Sequence, residues 1–189
     1  MKIILGSQSK GRRKMLEEMG LDFTVMAADI DERAIRFADP KILVLAIANA
    51  KAEALKPKIS EPAILITADQ VVFHDGKILE KPLNENEARE FMAGYNFCSP
   101  ETVAAVVVTN LVSGKKAEGT DIAKVNYKKL SEADMDYLIK NGDIYNLAGG
   151  VDIDGPIWEP FVESIEGTRD SVIGLPKELT RKLIDEVLG

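Results

Sequence analysis

A long run of β-branched and apolar residues at 102–110 constrains the fold more than any other part of the sequence. Its composition predicts a buried strand, and Ser113-Gly114 predicts a turn into a second strand that ends near Tyr127. Another hairpin is predicted around Asp75-Gly76. Because hairpins pair their strands antiparallel, a purely parallel α/β sheet is not expected.

The N-terminal part of the chain has a different pattern. Residues 2–5 form a short apolar run that Gly6 closes, which predicts a strand followed by a loop and a helix from Ser9 to near Gly20. Start and stop signals predict further helices at 40–55, 84–94 and 131–141 and after Pro176, and strands at 23–26, 63–67 and 71–74. The mixture predicts an α/β fold with a mixed β-sheet flanked by helices.

Length and charge narrow the class of protein. A chain of 189 residues with 46% hydrophobic content can form a single domain, residues 1–189, whose core is undivided or split into two lobes by a cleft. Acidic residues outnumber basic ones, 31 to 24, so we expect neither nucleic acid nor a membrane as a partner. The lack of a spanning or signal-like segment and the single cysteine, Cys98, predict a cytoplasmic protein.

The loop from Gly6 to Arg13 is the first candidate binding site. Free backbone N–H groups and the positive end of the helix dipole attract anions where a strand ends and a helix begins. Ser7 and Ser9 can donate to phosphate oxygens, and Arg12 or Arg13 can grip them. A capped surface helix with solvated basic residues explains the same pattern about as well.

The same loop nearly matches the phosphate-binding pattern G-x-x-x-x-G-K-S/T. Arg12 stands in place of its lysine, and Arg13 replaces the hydroxyl residue that holds magnesium. A kinase-like phosphate cradle is therefore a weaker alternative.

Asp69 and Lys51 are the next candidates. Asp69 follows an apolar strand, where a carboxylate can bind Mg²⁺ or activate water, although an isolated Asp between strands is more often a turn residue. Lys51 lies on the apolar stripe of a predicted helix, with Val44, Ala48 and Leu55. An inward lysine requires an anionic partner unless its ammonium group reaches water.

The remaining candidates each have a common structural explanation. Lys81 can supply a cation or lie in a surface Lys-Pro turn, and the acidic cluster Asp29, Asp31 and Glu32 can supply a metal ligand or be a solvated loop. His74 is expected to be structural, and Cys98 has no evident activating partner in the sequence. Three aromatic residues could stack on a base but are more often core residues: Tyr95, Phe97 and Trp158.

Together these segments resemble the Maf family, the septum-formation or Maf-like nucleotide pyrophosphatases, over nearly the whole chain. The N-terminal half carries S-x-S-x-x-R at Ser7, Ser9 and Arg12, followed by Arg13, then Asp31-Glu32, Lys51-Ala52, Ala68-Asp69 before Val71-Val72, and Lys81-Pro82. The C-terminal half adds Ala148-Gly149, Ile165-Glu166-Gly167 and Val172-Ile173-Gly174-Leu175-Pro176. Their order makes a chance match improbable.

The resemblance implies an inosine triphosphatase-like α/β fold with a central mixed, twisted sheet, a deep cleft between two lobes, and a homodimer. It implies a nucleoside triphosphate substrate, cleaved between its α and β phosphates with Mg²⁺ or Mn²⁺ as cofactor. The implied catalytic residues are Arg13, Glu32, Lys51, Asp69 and Lys81, with Ser7, Ser9 and Arg12 supporting the phosphate loop. Asp69 is the candidate base and Glu32 the candidate metal ligand, although both can bind the metal and their roles can be exchanged.

Two departures bear on the substrate, one at Asp69-Gln70 and one near Asp154, where this chain lacks the glutamine that dTTP- and UTP-cleaving members carry. Asp69-Gln70 resembles members that act on 7-methylguanosine triphosphate, whereas many dTTP- and UTP-cleaving members have Asp-Thr, so Gln70 is an expected substrate-binding residue. The segments 148–150 and 170–172 resemble plant-type members. Lys10-Gly11 replaces a common Pro-Arg, which predicts a looser helix start. A dTTP/UTP pyrophosphatase of the same family and a nucleotide-binding regulatory protein without turnover are the alternatives.

Overall fold

Strands and helices are interspersed along the chain, as a computed structural model of residues 1–189 describes. The seven strands are β1 Lys2–Leu5, β2 Phe23–Val25, β3 Ala63–His74, β4 Lys77–Leu79, β5 Glu101–Asn110, β6 Lys116–Tyr127 and β7 Val162–Glu166. The six α-helices are α1 Lys10–Glu18, α2 Pro40–Leu55, α3 Glu85–Tyr95, α4 Glu132–Asn141, α5 Arg169–Ile173 and α6 Lys177–Leu188. Short 3₁₀ turns lie at 32–34, 56–58, 144–146, 148–150 and 159–161.

All seven strands belong to one sheet with the order β2-β1-β3-β5-β6-β7, and β4 pairs with β3. Strand β1 is parallel to both β2 and β3, whereas the β3–β5, β5–β6, β6–β7 and β3–β4 pairs are antiparallel. The predicted α/β fold with a mixed sheet flanked by helices is confirmed.

Helices cover both faces of this sheet. Leu43, Val44 and Ile47 of α2 pack with Leu65 and Val107 on one face. On the other face, Met15 and Leu16 of α1 and Leu183 of α6 pack with Ile66 and Val108. Because successive side chains of a strand point to opposite faces and helices cover both, the central strands β3 and β5 are buried along nearly their whole length.

A smaller helical lobe has a core of its own. It joins α3, α4 and the segments on either side of α4, through Ala88, Met92, Leu130, Met135, Leu138, Ile144 and Trp158. The Tyr95 hydroxyl ties this lobe to the turn at 148–150 by donating to Gly149 O at 2.7 Å. Gly149 has φ 66°, and a Cβ there would lie 2.8 Å from that hydroxyl, so the turn requires glycine.

The predicted helix starts are confirmed by their capping hydrogen bonds. Ser9 Oγ accepts from Arg12 N, and Asp39 Oδ1 accepts from Lys41 N at 2.8 Å. Asn84 caps α3, and Ser131 forms a reciprocal capping box at the start of α4. No helix is both long enough and apolar enough to cross a bilayer.

One prediction of local structure was wrong, and two elements were missed. The separate strands expected at 63–67 and 71–74 are one strand, β3, because the Asp69 side chain pairs with a lysine instead of forming a turn. Strand β7 was missed because its exposed edge position gives it a mostly polar sequence. Helix α5 was missed because five residues are too few for a periodic pattern.

Candidate active site

A gap along one edge of β3 creates the site. Strand β1 pairs with β3 only as far as Ile66, and β4 begins to pair with it at Val72. Residues 67–71 therefore have no strand neighbour on this side, and Asp69 lies in the middle of the gap. A cleft of about 720 Å³ opens here, beyond the carboxyl end of β1, where open α/β sheets usually bind ligands.

Lys51, Asp69 and Glu32 form a charged cluster in this cleft. Helix α2 directs Lys51 inward, as predicted, and its Nζ lies 2.8 Å from Asp69 Oδ1 and 3.1 Å from Glu32 Oε1. The side chains of Lys51 and Asp69 are only 8% and 9% exposed, whereas Glu32 is half-exposed. The inward lysine therefore has anionic partners, and Asp69 is not a turn aspartate.

The surroundings of Asp69 change its acidity. Burial raises the pKa of Asp69 above its ordinary value, and this effect outweighs the charges of Lys51 and Arg12, which lower it. The negative charge of Glu32 raises the pKa further. A carboxylate with a raised pKa is a better proton acceptor than an ordinary one, as a general base requires.

Arg12 lies at the opposite wall of the cleft. Its Nη1 donates to Ser7 Oγ at 3.1 Å and its Nε donates to Gly174 O at 3.0 Å. The residue is only 8% exposed, yet no carboxylate lies within ion-pair distance of it. Burial lowers the pKa of Arg12, and the charges of Asp69 and Glu32 raise it. A buried guanidinium that lacks a direct counterion is strongly attractive to an anion.

The two neighbouring arginines are placed differently. Arg13 is exposed, donates to Gln8 O at 3.0 Å and does not line the cleft, whereas Arg12 does. Ser7 and Ser9 also line the cleft, so three of the four phosphate-loop candidates lie together there. The catalytic role implied for Arg13 stays a prediction.

Gly11 has a packing role that the sequence did not indicate. A Cβ at this position would lie 2.7 Å from Ile173 Cγ2 and 3.1 Å from Ile173 O. Glycine therefore allows α1 to approach the end of α5 closely, which brings Arg12 within reach of Gly174.

Gln70 lines the cleft, but its side-chain amide already has a hydrogen-bond partner in the protein. Its Nε2 donates to Val172 O at 2.6 Å, so the amide holds the C-terminal end of α5. Gly174, the left-handed residue that ends α5, has φ 106°, and a Cβ there would overlap Gln70 Oε1. Both Gln70 and Arg12 are thus fixed by backbone carbonyls of the same short segment.

The smaller lobe supplies the remaining wall of the cleft. Lys81 lines the cleft with its side chain exposed, as do several residues of the segment 143–154. Asp154 pairs with Lys14 of α1, and Arg169 donates to Ile153 O, so two contacts join this segment to the sheet lobe. All the site residues that the family resemblance implies, except Arg13, line one cleft between the two lobes, whereas Asp29 and Asp31 of the acidic cluster do not.

The floor of the cleft consists of residues that were not among the sequence-predicted candidates. Thr102, Val125 and Tyr127 line it, although only alternation along the predicted strands could have indicated them. The aromatic candidates lie elsewhere: Tyr95 and Trp158 are buried, and Phe97 is 91% exposed.

Away from the cleft, the structure gives Cys98 a neighbour that the sequence did not reveal. Its Sγ lies 3.0 Å from His74 Nε2, and the same ring nitrogen lies 3.1 Å from Cys98 O. The contact fixes the end of β3 against the loop that follows α3, consistent with the structural role expected for His74.

Glu32 and Asp69 are the residues that fit a divalent cation. No group of three or more His, Cys, Asp and Glu side chains has metal-binding geometry. The two carboxylates nevertheless converge on one ammonium group, that of Lys51. Mg²⁺ commonly takes one or two carboxylates and completes its shell with water and substrate phosphates, which this donor set allows.

A mixed sheet with a buried arginine and a lysine–carboxylate cluster at its open edge defines an α/β protein built to bind a polyanionic ligand. Its family follows from the sequence. The profile of the family described as Maf-like protein matches residues 2–187, and the chain belongs to this family.

Three relatives match almost the whole chain. A 7-methyl-GTP pyrophosphatase of Dictyostelium discoideum is 44% identical over 98% of this chain and 96% of its own length. A nucleoside triphosphate pyrophosphatase of Synechococcus sp. (strain JA-2-3B'a(2-13)) is 33% identical over 98% and 93%. A dTTP/UTP pyrophosphatase of Clostridium perfringens (strain 13 / Type A) is 31% identical over 98% and 96%.

Among solved structures, a HAM1 protein from Coxiella burnetii aligns with 100% of this chain and 98% of its own, with a TM-score of 0.49 and 12% identity.

Proposed function

We propose that this protein is a nucleoside triphosphate pyrophosphatase, which hydrolyses its substrate to a nucleoside monophosphate and pyrophosphate. The buried Arg12, without a direct counterion and facing the Lys51–Asp69 pair across one cleft, is the observation that carries the proposal. The pyrophosphatase names of the relatives support it.

The chain's own groups are suited to the reaction. Arg12, Lys51 and Lys81 offset the negative charge of the phosphates, and the Ser7 hydroxyl and the start of α1 can donate hydrogen bonds to their oxygens. A water oxygen bonds to the α phosphorus while the bond to the bridging oxygen breaks, and that electron pair leaves with pyrophosphate. Asp69 accepts the water proton, through Oδ2 because Oδ1 is bound to Lys51.

A divalent cation, Mg²⁺ or Mn²⁺, is part of this proposal. Glu32 would hold it, which leaves Asp69 free to act as the base, and when bound the cation would supply further charge neutralisation on the phosphate oxygens. Replacing Glu32 by Gln should then raise the concentration of Mg²⁺ needed for half-maximal activity, whereas Glu53→Gln, on an exposed salt bridge of α2, should not.

The methylated guanosine nucleotide is our first substrate candidate. The relative that bears this name is 44% identical to the chain, against 31% for the dTTP/UTP pyrophosphatase. The homodimer and the cytoplasmic location expected from the sequence stay predictions.

A nucleotide panel tests the function directly. Purified protein with Mg²⁺ or Mn²⁺ is given 7-methyl-GTP, GTP, dTTP and UTP, and the products are separated and identified. We expect a nucleoside monophosphate and pyrophosphate, fastest with 7-methyl-GTP, and ¹⁸O from labelled water in the monophosphate. Orthophosphate as the only product would indicate another hydrolase, and faster cleavage of dTTP and UTP would overturn the substrate order.

A variant of Asp69 tests whether this residue is the base in turnover. Asp69→Asn keeps the size of the side chain but removes the proton acceptor, so we expect activity to fall at least about 100-fold. If the variant kept near-normal turnover, the assignment of the base would be wrong. Tight nucleotide binding by the wild type without any product would favour a regulatory nucleotide-binding protein.

A further inference from the structure

The phosphate chemistry proposed above uses only one end of the cleft. The other end is floored by the sheet, where Val72 of β3, Thr102 of β5 and Tyr127 of β6 line the cleft. Thr102 pairs with Val72 on one side and with Ala123 on the other, and Tyr127 lies four residues beyond Ala123. Because side chains alternate along a strand, these residues share one face of the sheet.

Thr102 presents an unused hydroxyl to the cleft. The residue is only 4% exposed, and its Oγ1 makes no hydrogen bond with the protein. It differs from Thr109, on the same strand, whose Oγ1 also lacks a partner but is sealed from solvent. A hydroxyl that reaches a cleft without a protein partner, on a residue that is otherwise buried, is a ready hydrogen-bonding position for a ligand.

Tyr127 presents a second hydroxyl, on a rigid ring. The ring stacks on Tyr95 with centroids 5.6 Å apart, and it packs against Trp158 at 5.5 Å. Its hydroxyl makes no hydrogen bond with the protein and is not sealed from solvent. Burial raises the pKa of Tyr127 well above its ordinary value, so the group stays a neutral donor and acceptor.

The spacing of this floor from the reaction centre suits a nucleotide. Residues rise about 3.3 Å each along a strand, so Val72 lies about 10 Å from Asp69 along β3. Their side chains point to opposite faces of β3, and the cleft reaches both because this edge of the strand is open at residues 67–71. Thr102 is the direct partner of Val72 on the neighbouring strand. This separation is comparable with the reach of a ribose and a base from the α phosphate.

We infer that this floor is the base-binding subsite, in which the hydroxyls of Thr102 and Tyr127 hydrogen-bond the edge of the nucleobase. Val72 and Val125 supply apolar contact for the base, and Arg12 and Lys51 hold the phosphates at the other end. The inference rests on the proposed function. A site that hydrogen-bonds its substrate discriminates strongly, because a mismatched base leaves buried polar groups unpaired.

Two hydroxyl deletions test the subsite. Thr102→Val and Tyr127→Phe keep the shape of the floor, and each should lower kcat/KM for the preferred nucleotide about 5- to 10-fold, the usual effect of one hydrogen bond. Inhibition by inorganic tripolyphosphate, which has no base, should stay unchanged. Thr109→Val on the same strand is the control and should alter neither quantity.

The preference among nucleotides is the decisive measurement. We expect the ratio of kcat/KM between 7-methyl-GTP and UTP to change in both deletion variants. An unchanged ratio, or an equal loss of nucleotide turnover and tripolyphosphate binding, would overturn the subsite.

The subsite can also be tested separately from the reaction. Calorimetric binding of nucleoside monophosphates should weaken in both variants even if the wild type released no pyrophosphate from any nucleotide. That result would disprove the proposed function and leave the base subsite standing. Unchanged binding of every monophosphate would disprove the subsite.

Discussion

The ammonium group of Lys51 lies 2.8 Å from Asp69 Oδ1, and both side chains are more than nine-tenths buried. The same two residues therefore contribute both to the stability of the fold and to the proposed catalysis. Removing one partner leaves the other charge buried without compensation, whereas removing both does not.

The first prediction concerns stability. Lys51→Met should lower the free energy of unfolding by about 3 kcal/mol because it isolates the Asp69 carboxylate. Lys14→Met, which breaks the surface pair with Asp154, should change it by less than about 1 kcal/mol. Urea unfolding measures both values, and adding Asp69→Leu to Lys51→Met should recover much of the loss. Equal losses from the two lysine variants would contradict the structure.

The second prediction concerns pH. Because burial raises the pKa of Asp69, the acid limb of kcat/KM should lie above the ordinary aspartate value of 3.8, and activity should fall as the pH drops through it. Glu32→Gln removes a charge that raises this pKa, so the limb should move to lower pH. Lys51→Met removes the charge that lowers it most, so the limb should move to higher pH. Shifts in the same direction would refute the assignment of the limb to Asp69.

The third prediction separates the two arginines. Arg12→Lys loses the planar fork that reaches Ser7 and Gly174, so KM for the nucleotide should rise about 10-fold or more. Arg13→Lys should leave KM within about 2-fold, since Arg13 is exposed and lies outside the cleft lining. Steady-state kinetics measure KM for the nucleotide in both variants. A larger effect from Arg13→Lys would favour the role that the family resemblance implies.

The fourth prediction concerns Gln70. Gln70→Glu is nearly isosteric but cannot donate to Val172 O, so the end of α5 and Arg12 with it should lose their alignment. We expect kcat/KM to fall about 10-fold for every nucleotide, with the base preference unchanged. If the preference changed instead, Gln70 would contact the base, as the sequence comparison suggested.

The fifth prediction concerns the end of α5. Gly174→Ala forces a side chain into a left-handed conformation and against Gln70, so it should destabilise the protein by more than about 1 kcal/mol and lower activity. Gly114→Ala is the control, because Gly114 also has a positive φ, 74°, but the space around it is open. Thermal unfolding and kinetics of both variants separate backbone strain from the loss of alignment. Equal activity in the two variants would show that the contact with Gln70 does not matter.

Local patterns determined much of the fold. The capped helix starts at Ser9, Asp39, Asn84 and Ser131 and the turn at Asp75-Gly76 follow from residues within a few positions of one another. The inward direction of Lys51 follows from helical periodicity alone. These features were predictable because each one depends on a short stretch of chain.

The tertiary structure decided which residues form the cleft and how. Arg12 rather than Arg13 enters the cleft because Gly174, 162 residues away, accepts a hydrogen bond from it. Gln70 is held by Val172, and the floor at Thr102 and Tyr127 depends on strand register. The sequence alone determined most of the local elements and the family. Only the tertiary structure determined which residues line the cleft and how they are held, because these contacts join residues that are distant in the sequence and no local pattern specifies them.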